Sequence, residues 1–239
     1  AKKLGMTVII SDHHTVPEVL PISDAIVVPS LNNYPFPYLC GAGVAWKLSC
    51  ALMGYEYAKK QLDLAAIATI ADMVSLTGEN RAIVKLGLDC ISNSKRYGVA
   101  AIKEIIGLKD KQISSENIAF QIAPRLNAGG RFSCAFDAYN LLSAKDMVTA
   151  TLLAKQLDEY NNQRKIDEER ILNFAEENIK NVDLVDRRSI VIYGENFNSG
   201  VVGLAAGRLA NKYYYPCVVL TDNDGMLVGS GRSVGDIDL

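Results

Sequence analysis

The sequence predicts an α/β protein in which a parallel-sheet domain is joined by a long helix to a smaller α/β domain. Three observations predict it. Short β-branched runs bounded by turn residues stand near both ends of the chain. Helical periodicity fills most of the interval between them. From Ser143 to about Lys180 neither Pro nor Gly interrupts the pattern.

The elements follow in order. "MTVIIS" (6–11) reads as a buried strand and "DAIVVPS" (24–30) as the next. "SLNNYPFPYLC" carries Pro and Asn and reads as an irregular loop. "GAGVAWKLSCALMG" has the small and apolar periodicity of a packed helix, and Trp46 within it reads as core. "LDLAAIATIADMV" (62–74) is apolar nearly all round, which predicts a buried helix. "ENRAIVKLGLDCI" and "VAAIKEIIGL" read as amphipathic helices, and a helical majority continues to about residue 142. Ser143 followed by Asp146 resembles a capping box opening the long helix. The middle of that helix, "DEYNNQRKIDEER", is too polar for a core position, whereas Leu153, Leu157, Ile171 and Phe174 flank it with apolar surface. Wet in the middle and sticky at both ends, it reads as a bridge between domains, with an amphipathic surface helix as the alternative. "RSIVIYG", "GVVGLAAGRLANKY", "PCVVLTD" and "MLVGSGRS" then read as strand, helix, strand, strand. The expected division is 1–142, a connecting helix 143–182, and 183–239.

Composition limits the function classes. At 239 residues and 49% hydrophobic content the chain can build one large core or two ordinary ones. No run approaches the roughly 18 apolar residues of a membrane span. "AKKLGMTVII" lacks a signal peptide's long apolar segment. A cytoplasmic protein without a membrane partner is expected. A net charge of −2 argues against a broadly basic DNA-coating surface, so any nucleic-acid site is local or metal-assisted. The five cysteines are scattered without a C-x-x-C pair and read as reduced thiols.

Two places could carry chemistry. Asp12-His13-His14 ends the first strand, at the sheet edge where ligands of open α/β folds bind. Imidazole and carboxylate together suit manganese, iron or zinc; two surface histidines in a turn are the plain alternative. Asp72 ends the apolar helix, and a buried carboxylate needs a partner: a metal ion, a helix cap or a salt bridge. "APRLNAGGR" carries Arg125, Asn127 and Arg131 around a Gly-Gly pair, and "GSGRS" sets Ser230, Gly231, Arg232 and Ser233 together. Arginine forks match phosphate oxygens, although the same arginines could pair with acids or helix ends. Tyr213, Tyr214 and Tyr215 read as a helix end packed on a core rather than a stacking platform. The glycines opening "GAGVAWKL" could bind an anion or serve close packing.

"SDHH", "CGAGVAWKLS", "AIATIADMVSL", "FQIAPRLNAGGR" and "GSGRS", in this order, resemble the DHH phosphoesterase superfamily and, more narrowly, its RecJ-like branch of single-strand-specific DNA exonucleases. The resemblance runs from about residue 5 to the end and implies a DHH domain (1–142), a connecting helix and a DHH-associated domain (183–239). It implies that His13 and Asp72 are metal ligands, that Asp12 holds its neighbours in place, and that His14 faces the scissile phosphate as a catalytic group. Arg125, Asn127, Arg131 and the Ser230–Ser233 segment would grip DNA phosphate. The implied cofactor is Mn or Mg in a two-metal site, and the implied partners are single-stranded DNA, a single-strand-binding protein and a helicase. A DHH-family oligoribonuclease or nucleotide phosphatase, and a catalytically silent DHH scaffold, are the competing expectations.

The family's D-x-D motif, a further aspartate motif before DHH and a Gly-Gly-His segment after "GSGRS" are absent, and Asn198 stands where His is common. The chain therefore reads as a fragment trimmed on both sides, expected to bind metal weakly and to leave DNA uncut on its own.

Overall fold

A computed structural model describes residues 1–31, 33–180, 184, 187–237 and 239. It forms two compact units, Ala1–Pro124 with Leu142–Thr151 and Arg125–Leu141 with Leu152–Leu239.

In the first unit, strands β1 (Ile9–Ser11) and β2 (Ala25–Val27) pair in parallel, Ile9 opposite Ala25. Both are shorter than their apolar runs, and β1 is not the buried strand expected, since Ile9 is 66% exposed. Helices α1 (Gly41–Met53), α2 (Tyr55–Ala58), α3 (Leu62–Ala71), α4 (Gly78–Ser92), α5 (Tyr97–Ile105) and α6 (Ser115–Asn117) follow. Helix α6 opens on a capping box in which the Ser114 hydroxyl accepts the Asn117 amide at 3.2 Å. A π-helical turn, Ile118–Ile122, carries it into α7 (Ala123–Phe132).

The core of this unit forms around α3. Leu62, Ala65, Ala66, Ile67 and Ile70 are all buried, as a helix without a polar face requires. Gly87 sets how closely α4 approaches it: a Cβ there would lie 2.2 Å from the Ala66 Cβ and 2.9 Å from the Leu62 carbonyl. Trp46 is half-buried and donates its Nε1–H to the Ala58 carbonyl at 2.9 Å.

The second unit contains most of α7, then α8 (Phe136–Leu142), most of α9 (Met147–Ile179), β3 (Ile190–Tyr193), α10 (Val202–Tyr213), β4 (Cys217–Asn223) and β5 (Met226–Arg232). Packing groups Arg125–Leu141 with the greater part of α9, a different cut from the one at residue 142. Asp146, rather than Ser143, caps α9: its carboxylate accepts the Thr149 amide at 2.8 Å and hydroxyl at 2.9 Å, so the helix starts later than the capping-box pattern suggests. The expected helix end at 182 and domain start at 183 lie outside the described residues.

The middle of α9 is wet on one face only: Asn162, Gln163, Lys165 and Glu169 are exposed, whereas two polar residues lie on its buried side. Asn161 is 0% and Glu168 2% exposed. They belong to a buried stripe that also takes in Ala150, Ala154, Leu157, Ile171, Ala175 and Ile179. Phe174, expected as an apolar anchor, is exposed and meets Phe197 edge-on. A single face is buried from end to end, with the polar residues inside it.

The second sheet has the order β3-β4-β5, with β3 parallel and β5 antiparallel to β4. The β4–β5 hairpin turns through Asp224 (φ 52°) and Gly225 (φ 80°), a left-handed pair that matches the twist of the strands. Helix α10 makes the crossover between β3 and β4 and buries Val202, Ala205, Ala206 and Leu209 against Ile190, Ile192, Val219 and the end of α9. Tyr213 and Tyr215 pack against this core, whereas Tyr214 is exposed in a left-handed conformation at the helix end. Among the described residues no helix is long and apolar enough to cross a membrane.

Two outcomes follow. Gly87→Ala should lower the unfolding free energy by about 2 kcal/mol in a denaturant titration, because the α3–α4 contact has no room for a methyl group. Burial pushes the Cys217 thiol up to about 11, and Cys134 is exposed. Iodoacetamide at pH 8 should therefore label Cys134 in the native protein and Cys217 only after unfolding, read by peptide mass spectrometry.

Candidate metal centre

The site in the first unit grows from the end of β1. The Asp12 amide donates to the Val27 carbonyl at 3.1 Å, the last bond of the strand pair. There the chain turns back on the Asp12 carboxylate. Its Oδ1 accepts the His13 amide at 2.7 Å, the His14 amide at 3.4 Å and the His14 ring Nδ1 at 2.7 Å. These bonds, the His14 side chain first, hold the Asp12 carboxyl below its ordinary range. An ionised carboxylate has no hydrogen to give, so the proton of this bond sits on His14 Nδ1, and Nε2 lies on the far side of the ring. The His14 side chain is 76% exposed.

His13 is held differently. Its side chain is 21% exposed, and its Nδ1 lies 3.6 Å from Asp72 Oδ2. The ring rests on the start of α1, where a Cβ at Gly41 would lie 3.3 Å from His13 Cδ2. Between the two readings of the glycine-rich opening, Gly41 fits close packing. Asp72, 41% exposed rather than buried as expected because it lies just past the helix, is delivered by the carboxyl end of α3, where its amide closes the last turn on Ala68. The next residue, Met73, takes φ 55° and is 90% exposed. A side chain other than glycine in that conformation carries a backbone cost of about 1–3 kcal/mol, stored one residue from the carboxylate.

The donor set fits a divalent ion. Two ligand atoms each about 2.1 Å from a shared cation stand roughly 3.0–3.6 Å apart for angles between 90° and 120°. The His13–Asp72 separation falls within that span. Asp12, His13 and His14 also offer ligand atoms within 4.8 Å of one another.

In the second unit the predicted phosphate contacts divide. Arg125 donates from Nε to Asp158 at 2.8 Å and ties α7 to α9. Asn127 is exposed on α7. Arg131 donates to the Gly200 carbonyl at 2.6 Å. "GSGRS" runs as strand through Arg232 rather than as a loop. The Arg232 Nη1 donates to the Ser230 hydroxyl at 3.0 Å and the Gly231 carbonyl at 2.8 Å. Its Nη2 lies 3.4 Å from where a Cβ on Gly203 of α10 would be. The Ser233 hydroxyl bonds the Ile237 carbonyl. Asn198 accepts the Gly200 amide at 2.8 Å and reaches Asp167 at 3.5 Å, so it braces the loop before α10.

Glu168, Arg164, Arg208 and Asn161 form a cluster that composition did not reveal. Glu168 is 3% exposed and accepts from Arg164 at 2.9 Å and from Arg208 at 2.7 Å. Burial pushes the Arg164 guanidinium below its ordinary value, and Arg131 and Arg208 add to this against the pull of Glu168. Neither polar atom of the buried Asn161 side chain has a hydrogen-bond partner among the described residues. Two arginines meet this one carboxylate, and a third, Arg131, stands close enough to Arg164 to act on its charge, so guanidinium groups outnumber the carboxylate here. The findable signal was the spacing: residues 154, 157, 161, 164, 168, 171 and 175 alternate three and four apart.

No family model matches the chain. It is 40% identical over 243 residues to the single-stranded-DNA-specific exonuclease RecJ of Bacillus subtilis, covering 100% of this chain and 31% of that protein. The Haemophilus influenzae protein of the same name is 35% identical over 98% of this chain and 44% of its own length. Among solved structures, RecJ from Thermus thermophilus in complex with Mn2+ superposes with a TM-score of 0.86 at 31% identity, over 98% of this chain and 35% of that one. An exonuclease RecJ bound to manganese gives 0.84 at 33% identity, over 98% and 58%. The chain thus spans less than half the length of the curated relatives it matches.

The buried Glu168 makes a direct prediction about stability. Glu168→Ala strands Arg164 in a nonpolar setting and should cost about 3 kcal/mol in urea unfolding, whereas Glu168→Leu combined with Arg164→Met should recover most of that loss.

Proposed function

By sequence and by fold the chain is a RecJ-like segment of the DHH superfamily, and from that premise we propose that it carries part of the active centre of a metal-dependent exonuclease. That enzyme hydrolyses phosphodiester bonds of single-stranded DNA from the 5′ end, in repair and recombination. The observation that carries the reading is the 3.6 Å approach of His13 to Asp72 beside a histidine pair organised by one carboxylate. The sequence and structural relatives, several of them named for Mn2+ or Mg2+, support it.

His13 and Asp72 would hold manganese or magnesium. When bound, the metal lowers the pKa of water and stabilises a leaving oxygen. The rest is the work of the chain itself. Asp12 fixes the His14 tautomer, and His14 Nε2, pointing away from that bond, exchanges a proton or a hydrogen bond with the phosphate being cut. Arg131 and Arg232, the latter braced by Ser230 and Gly231, grip backbone phosphate, with Asn127 and Ser233 on the same two segments. Arg125 serves this grip through its bond to Asp158, by holding α7 on α9. A single-strand-binding protein and a helicase are the partners this reading implies, since such an enzyme needs its DNA unwound and kept single-stranded. Five free cysteines accord with a reducing cytoplasm.

In the intact protein, His13→Ala should abolish manganese-dependent release of nucleotides while the far-ultraviolet circular dichroism stays unchanged; wild-type turnover would remove the metal assignment. Asp12→Ala should lower turnover by about 10–100-fold, the usual cost of losing a residue that orients a metal site. Arg232→Ala should weaken single-strand binding and reduce its salt slope by about one. Degradation confined to dinucleotides would favour the oligoribonuclease reading instead.

A further inference from the structure

Away from the metal centre, the first unit contains a cavity of about 590 Å³ between the turn before α3, the end of α4, the start of α5 and the turn before α9. Lys59, Lys60, Lys95 and Lys145 line it. All four are exposed, and none has an ion-pair partner among the described residues. Lysine side chains gathered round one concavity repel each other; solvent and salt screen part of that repulsion, and a polyanion between them would relieve the rest.

The one carboxylate in the wall does not supply it. Asp63 is 7% exposed and already faces the Arg96 guanidinium, which donates to it at 2.9 and 3.3 Å and to Gln61 at 2.8 Å. This buried pair forms a neutral floor, and the lysine charges above it stand uncompensated.

We propose that this cavity binds a nucleoside polyphosphate, its phosphates among the four lysines and its base against Tyr97. The volume lies within the roughly 300–1,000 Å³ typical of small-molecule sites. A strand of nucleic acid is usually tracked by an extended groove, whereas these four lysines line one hollow. The Tyr97 ring opens α5 at the rim and is 44% exposed, a free face for stacking. The site is distinct from the candidate metal centre. Asp63 and Asp72 mark opposite ends of α3, about 14 Å apart along the helix axis.

Calorimetric titration of the intact protein with ATP, GTP and inorganic tripolyphosphate, in EDTA, tests the proposal. Saturable one-to-one binding of the nucleotides is expected. Lys59→Glu with Lys95→Glu should weaken it by about tenfold or more, while the exposed Lys111→Glu, outside the cavity, should leave it unchanged. Tyr97→Ala should weaken ATP but not tripolyphosphate. The absence of saturable binding would overturn the proposal, as would affinity indifferent to the lysine reversals. Tripolyphosphate binding as tightly as ATP, with Tyr97→Ala silent, would overturn the nucleoside assignment. So would a single-stranded oligonucleotide or an acidic peptide, rather than ATP, losing affinity in the lysine variant. Because divalent ions are absent from the measurement, failure here leaves the His13 test of the exonuclease reading untouched.

Discussion

The close approach of the His13 ring to the Asp72 carboxylate is the constraint on which the rest of the first unit depends. Neither residue could reach the other from its own element alone. The strand end has to reverse, and the Asp12 carboxylate, drawing in two backbone amides and one ring, makes it do so. The ring then needs a surface without a side chain, which Gly41 supplies. From the other side, α3 has to end where it does, and its axial position is set by contacts such as Gly87 on Ala66. Met73 completes the arrangement by turning the chain away immediately after the carboxylate.

The second unit solves a different electrostatic problem. A carboxylate 3% exposed is costly by itself, and Glu168 is tolerated because two guanidinium groups meet it. A hydrophobic trio of the same volume would hold α9 to α10 as well. What apolar residues would not do is concentrate positive charge around Arg164, with Arg131 and Arg208 close enough to press on it.

Much of this was legible in the residues because local rules agreed with tertiary ones. The apolar girth of 62–71 required burial, and the Asp224-Gly225 dipeptide dictated a tight hairpin. DHH and the acid ending α3 pointed to the pair that the fold brings together. Other features were hidden for physical reasons. β1 reads as buried because β-branched residues look alike on covered and open faces, yet Ile9 is largely exposed. The centre of α9 looks wet by composition, but its three-and-four spacing continues unbroken, and spacing rather than polarity determined which face was buried. The capping box at Ser143 lost to the better-placed Asp146. The Asp63–Arg96 floor, between residues 33 apart, depends on contacts no local pattern encodes.

The apolar girth of α3 bears on how the metal centre can come apart. A ten-residue helix lacking a solvent face has almost no independent existence in water. It cannot fray by itself; it leaves when the surrounding core leaves. Amide exchange at its last turn is therefore expected to proceed through cooperative opening of the whole unit rather than by local fraying. The Asp72 carboxylate, which begins where that helix ends, therefore keeps its place only while the whole core stands.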